Sequence, residues 1–81
     1  MTFKVTFTTG ATRHPQKIVD GATTVKDFLA QYGGHVGTLM FGPNTLGTAD
    51  ENKTFAELAN TYNVADGGEI TLFDAPKTAN A

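Results

Sequence analysis

Histidine most readily ligates metals and moves protons near neutral pH, and this 81-residue chain has two, His14 and His35. They fall in different segments with no partner at ligand spacing, so no metal centre is expected. Asp50-Glu51-Asn52 gathers acid into one polar stretch. It lacks the glycine and the closing glutamate of a calcium loop and reads as solvated. Serine and cysteine are absent, which removes the two commonest nucleophiles, and the threonines read as strand and cap residues. No catalytic residue, metal ligand or cofactor is assigned, and the chain is not expected to be an enzyme.

Composition narrows the class further. One small domain of this length buries only about 60–65% of the surface its unfolded chain exposes, so its core is thin. Without cysteine there is no disulfide, and roughly a dozen apolar side chains must supply the stability. The candidates are Phe3, Val5, Phe7, Ile18, Val25, Phe28, Leu29, Leu39, Phe41, Leu46, Leu58, Ile70 and Leu72. Six basic and eight acidic residues, net charge −2, are spread singly along the chain. Nothing resembles the basic stripe that neutralises phosphates, so a nucleic-acid partner is not expected. Residues 1–8 alternate polar and apolar, unlike a signal peptide or spanning helix, so no membrane partner is expected either. A soluble, cytoplasmic protein is the expectation, monomeric or weakly oligomeric.

The elements follow from spacing. Phe3, Val5 and Phe7 alternate with polar residues as a half-buried strand. Thr9-Gly10-Ala11 supplies a turn, and a second strand runs from about Arg13 to Val19. Pro15 cannot donate to a ladder, which makes that strand an edge or breaks it. Thr23-Thr24 opens a helix, with Asp27 at capping-box spacing after Thr24 and Val25, Phe28, Leu29 and Tyr32 on one face. Gly33-Gly34 ends it after about nine residues, too few to persist undocked. Val36 to Phe41 reads as a third strand, Gly42-Pro43-Asn44 as a turn and Thr45-Leu46 as a minimal strand. Gly47 to Lys53 is a polar loop. Thr54-Phe55-Ala56-Glu57-Leu58 is a capping box opening a short helix. Asp66-Gly67-Gly68 is a turn before a last strand, Glu69 to Asp74, with Ile70 and Leu72 inward.

A hairpin, a helix across it and further strands make an α+β arrangement. Leu39-Met40-Phe41-Gly42-Pro43-Asn44-Thr45-Leu46, Lys53-Thr54-Phe55-Ala56-Glu57-Leu58, Asn63-Val64 and Glu69-Ile70-Thr71-Leu72 resemble the ubiquitin-like β-grasp family in order and spacing. Val64-Ala65-Asp66-Gly67-Gly68-Glu69-Ile70 is similar to its sulfur-carrier branch. The resemblance covers residues 1–74 and implies a β-grasp fold: a mixed four- to five-stranded sheet, one main helix packed across it and a short second helix. Residues 75–81 are expected to be a disordered tail. Absent cysteine excludes the iron–sulfur version of the fold.

Modifiers and sulfur carriers of the family end in a Gly-Gly carboxylate that an activating enzyme adenylates, whereas Asp74-Ala75-Pro76-Lys77-Thr78-Ala79-Asn80-Ala81 carries no glycine pair. The late pair, Gly67-Gly68, precedes a strand and reads as a turn. The family's sheet face usually docks partners. Here alternation leaves Met40 and Phe73 outside as one apolar spot, flanked by Thr71 and by Lys4 or Thr6, which are the candidate partner-binding residues. The leading expectation is a non-catalytic protein–protein interaction module. The alternatives are a C-terminally processed modifier or sulfur carrier, and a structural, assembly or accessory subunit.

Overall fold

Polar and apolar residues alternate from Thr2 to Thr8 and from Glu69 to Leu72, which gives each strand one apolar side, and these two strands form the middle of the structure. The computed structural model describes residues 1–10 and 12–75. The strands are β1 (Thr2–Thr9), β2 (Lys17–Asp20), β3 (Thr38–Phe41), β4 (Asn44–Thr45) and β5 (Glu69–Ala75). The helices are α1 (Val25–Ala30) and α2 (Phe55–Thr61), with a 3-10 helix at Thr48–Asn52 between β4 and α2. All five strands join one mixed sheet in the order β2-β1-β5-β3-β4. Only the central pair, β1 with β5, is parallel. The described residues form a small α+β domain.

The inward side chains of the sheet, Phe3, Val5, Phe7, Leu39, Phe41, Ile70 and Leu72, are buried with Val25, Phe28 and Leu29 of α1 and Phe55, Leu58 and Ala59 of α2. Phe28 meets Phe55 edge-on at 5.5 Å, so the helices touch through aromatic rings as well as through the sheet. Phe55 is fully buried and contributes about 2–3 kcal/mol by area, yet short-range spacing gave it no inward phase.

The helices start where their sequences can satisfy the free N–H groups. Thr24 Oγ1 accepts from Asp27 N–H at 3.1 Å. Thr54 and Glu57 complete the reciprocal box at α2, at 3.2 and 3.1 Å. Three further donors find acceptors in the opposite segment. Val25 N–H donates to Lys53 O, Phe55 N–H to Thr23 O and Ala56 N–H to Gly21 O, tying the two N-termini together. α1 is six residues, shorter than expected. Gly33 and Gly34 both take positive φ, and Gly34 N–H closes on Leu29 O.

Other boundaries also moved. β2 begins only at Lys17; Arg13 makes a lone bridge to Thr8, and Pro15 lies in the gap between them. β3 begins at Thr38 rather than Val36, because Val36 and Gly37 donate to a side chain instead of a ladder. β4 is displaced by one residue, to Asn44–Thr45. The Gly47–Lys53 loop contains the 3-10 helix. β5 continues to Ala75, one residue past expectation, while the rest of the expected tail, 76–81, and Ala11 of the expected first turn lie outside the described residues.

Ile18 does not join the core. It is 71% exposed, and Val19 is buried in its place. The register explains why. Val19 stands opposite the inward Phe3 and Ile18 opposite the outward Lys4, and a strand's period of two allows only one of the neighbours inside.

Candidate functional site

Cross-strand partners share a face, so the register maps the outer side of the sheet row by row. Met40 of β3 is opposite Phe73 of β5, Phe73 is opposite Thr8 of β1, and Thr8 bridges to Arg13. On the other flank Met40 pairs with Thr45, whose hydroxyl reaches the Met40 sulfur at 3.3 Å. The next row pairs Thr6 with Thr71, and the one after it joins Ile18, Lys4 and Glu69.

The structure thus places Met40, Phe73, Thr71, Lys4 and Thr6 on one face, with Met40 and Phe73 directly adjacent. Both are half-buried rather than fully open. Thr6 is 8% exposed and offers little surface, whereas Thr71 and Lys4 are open. Ile18 adds an apolar group to the same face, but four residues along the strand direction from Phe73's row. That is roughly 13 Å at the usual rise, too far for one contiguous spot.

A second cluster was not assembled by sequence reasoning, which left His35 without a partner and the 50–52 stretch solvated. Glu51, on the 3-10 helix, is half-buried and reaches His35 Nε2 at 3.0 Å. Asp74 is the inward residue that follows Ile70 and Leu72 in phase, and it is only 6% exposed. Its carboxylate accepts from Val36 N–H at 3.0 Å and Gly37 N–H at 2.7 Å, and lies 4.0 Å from His35 Nδ1. The available signal was a carboxylate in the inward phase of a strand, which must find donors at the sheet's end.

Asp50 behaves differently. Its carboxylate accepts from Gly47 N–H at 2.9 Å and from Lys53 Nζ at 3.0 Å. The Gly47 N–H, and after it Lys53, holds the Asp50 carboxyl below its ordinary value; Asp50 in turn raises Lys53. The pair stabilises the 3-10 turn only slightly, because both groups are in water.

Gly67 and Gly68 form the turn into β5. Gly67 has φ +81° and donates to Thr2 O, while Gly68 O accepts from Lys4 N–H. A Cβ on Gly68 would lie 2.8 Å from Ala65 O. The pair is fully employed in joining β5 to β1.

Among the described residues no three His, Asp or Glu side chains are arranged to hold a metal ion, and no helix is long and apolar enough to cross a membrane. Among the described residues, a broad hollow lined by Lys26, Leu29, Ala30, His35 and Glu51 holds about 400 Å³, and one lined by Phe41, Tyr62 and Ile70 among others holds about 160 Å³. The second is below the roughly 300 Å³ at which small-molecule pockets begin. No family model, no curated protein and no solved structure matches the chain.

Proposed function

We propose that this chain is a β-grasp, ubiquitin-like interaction module that works without catalysis and docks a protein partner on the outer face of its sheet. The reading rests on one observation: Met40 and Phe73 are register partners on the face opposite both helices. The strand order, with a parallel central pair flanked by antiparallel strands, supports the β-grasp assignment. Met40 and Phe73 anchor the partner, and Thr71 and Lys4 supply polar contacts around them. A patch with two half-buried anchors gives weak to moderate affinity, since binding energy concentrates in a few well-buried residues.

The test uses Met40→Asp and Phe73→Asp beside the wild type. A partner captured by cross-linking in cells is identified, and its affinity for each variant is measured. Both substitutions are expected to abolish binding while the thermal midpoint moves by less than about 4–8 °C, the shift equivalent to about 1 kcal/mol in a domain of this size. Unimpaired binding, or a midpoint lowered by more than about 10 °C, would show that these side chains serve the core rather than a partner.

A further inference from the structure

His35 presents both ring nitrogens to oxygen. Nδ1 lies 2.9 Å from the Gly37 carbonyl oxygen and Nε2 lies 3.0 Å from Glu51 Oε1. A carbonyl cannot donate, and an ionised carboxylate only accepts. A neutral imidazole carries a single N–H, so either tautomer turns one ring lone pair against an oxygen. Only the doubly protonated ring completes both bonds.

The charged groups facing this ring come from three elements. Glu51 approaches from the 3-10 helix and Asp74 from β5, where Asp74 Oδ1 is 4.0 Å from Nδ1. Lys26 of α1 lines the same hollow as His35 and Glu51. The segment held here is the Gly33–Gly37 loop. Asp74 ties its far side through the N–H groups of Val36 and Gly37, and His35 ties its near side to the 3-10 helix. Val36, at its crest, is 90% exposed.

We infer that His35 is a proton-operated clasp: the doubly protonated ring fastens the Gly33–Gly37 loop to the 3-10 helix, and loss of one proton loosens that loop at the end of the sheet. The second bond exists while both nitrogens carry hydrogen and is lost when either is deprotonated.

The experiment measures amide exchange at Val36 and Gly37 at about pH 5.5 and about pH 8.5, on either side of the histidine range. Rates are corrected for intrinsic exchange, and ring 15N shifts are recorded in the same samples. Protection at the two amides is expected to fall about twofold to fivefold at the higher pH, the span of a part-exposed ion pair. Val5 and Leu72 in the central strands are expected to keep theirs. In His35→Gln and in Glu51→Gln, which lies on the open side of the contact, the fall is expected to vanish. Equal protection at both pH values in the wild type overturns the clasp. So does an equal fall in either variant, or a ring found neutral at the lower pH.

Discussion

Tyr32 offers a test of how this small core balances aromatic packing against polar burial. Its ring sits 5.1 Å from Phe7 and 5.5 Å from Phe28, with His14 at 4.6 Å and the Lys17 ammonium 5.3 Å above it. Its hydroxyl is buried with no hydrogen-bond partner among the described residues. A buried orphan of this kind costs about 1–3 kcal/mol. Replacing Tyr32 by Phe keeps every ring contact and removes the orphan, at the expense of a void no larger than one oxygen. The net expectation is a gain of about 1 kcal/mol, equal to a midpoint higher by about 4–8 °C in a domain of this size. Tyr32→Ala removes the ring as well. It should destabilise by about 2–3 kcal/mol, somewhat less than the usual aromatic truncation because the residue is half-buried. Urea and thermal unfolding of the three proteins, followed by circular dichroism, give both numbers. A Phe variant less stable by about 1 kcal/mol would refute the reasoning, since it would show a hydroxyl that has a partner.

Three further outcomes are expected. Gly37→Ala places a Cβ 1.9 Å from the Ala75 carbonyl oxygen. It should lose at least about 3 kcal/mol or fail to fold, and a urea midpoint near that of the wild type would contradict the close approach. Ile18→Thr should change stability by less than about 0.5 kcal/mol, whereas Val19→Ala should cost about 1–2 kcal/mol; the reverse order would put the wrong face of β2 inside. The Asp50 carboxyl, held low by Gly47 N–H and Lys53, should titrate below free aspartate in an NMR pH series. Its bonds stabilise the turn above the ordinary carboxylate range and are lost as pH falls through the depressed value. A normal or raised midpoint in that series would show that the turn bonds are absent in solution.

The parts of the fold that follow from local chemistry were legible. Period-two alternation marked β1 and the first half of β5, Thr23-Thr24 and Thr54 marked both helix starts, and Gly33-Gly34 marked the left-handed exit beyond α1, although the helix itself stops at Ala30. The errors arose where distant partners decide. Ile18 and Val19 are both apolar, and nothing within β2 states which one faces the helices; the pairing with β1 does. Phe55 follows a cap directly and becomes core only because α1 lies against it. The outer-face pair was legible, since Met40 and Phe73 each follow from alternation on its own strand. The His35 cluster was not, because it joins a loop, a 3-10 helix and a strand end that only the closed sheet brings together.

That closure depends on β5. It pairs with β1 on one side and β3 on the other, with Lys4 opposite Glu69 and Met40 opposite Phe73. Before β5 docks, the β1–β2 hairpin and the β3–β4 pair share no ladder, and the inward sides of β1 and β3 lack the strand that joins them. The parallel β1–β5 pairing spans most of the chain, so its loop-closure entropy opposes folding before its contacts favour it. The Gly67-Gly68 turn holds the start of β5 against β1 through two backbone bonds, Gly67 N–H to Thr2 O and Lys4 N–H to Gly68 O. A cut after Gly68 therefore does more than expose a glycine carboxylate. It removes Ile70, Leu72 and Asp74 together, opens the sheet between β1 and β3, and leaves neither the Met40–Phe73 pair nor the His35 loop its support.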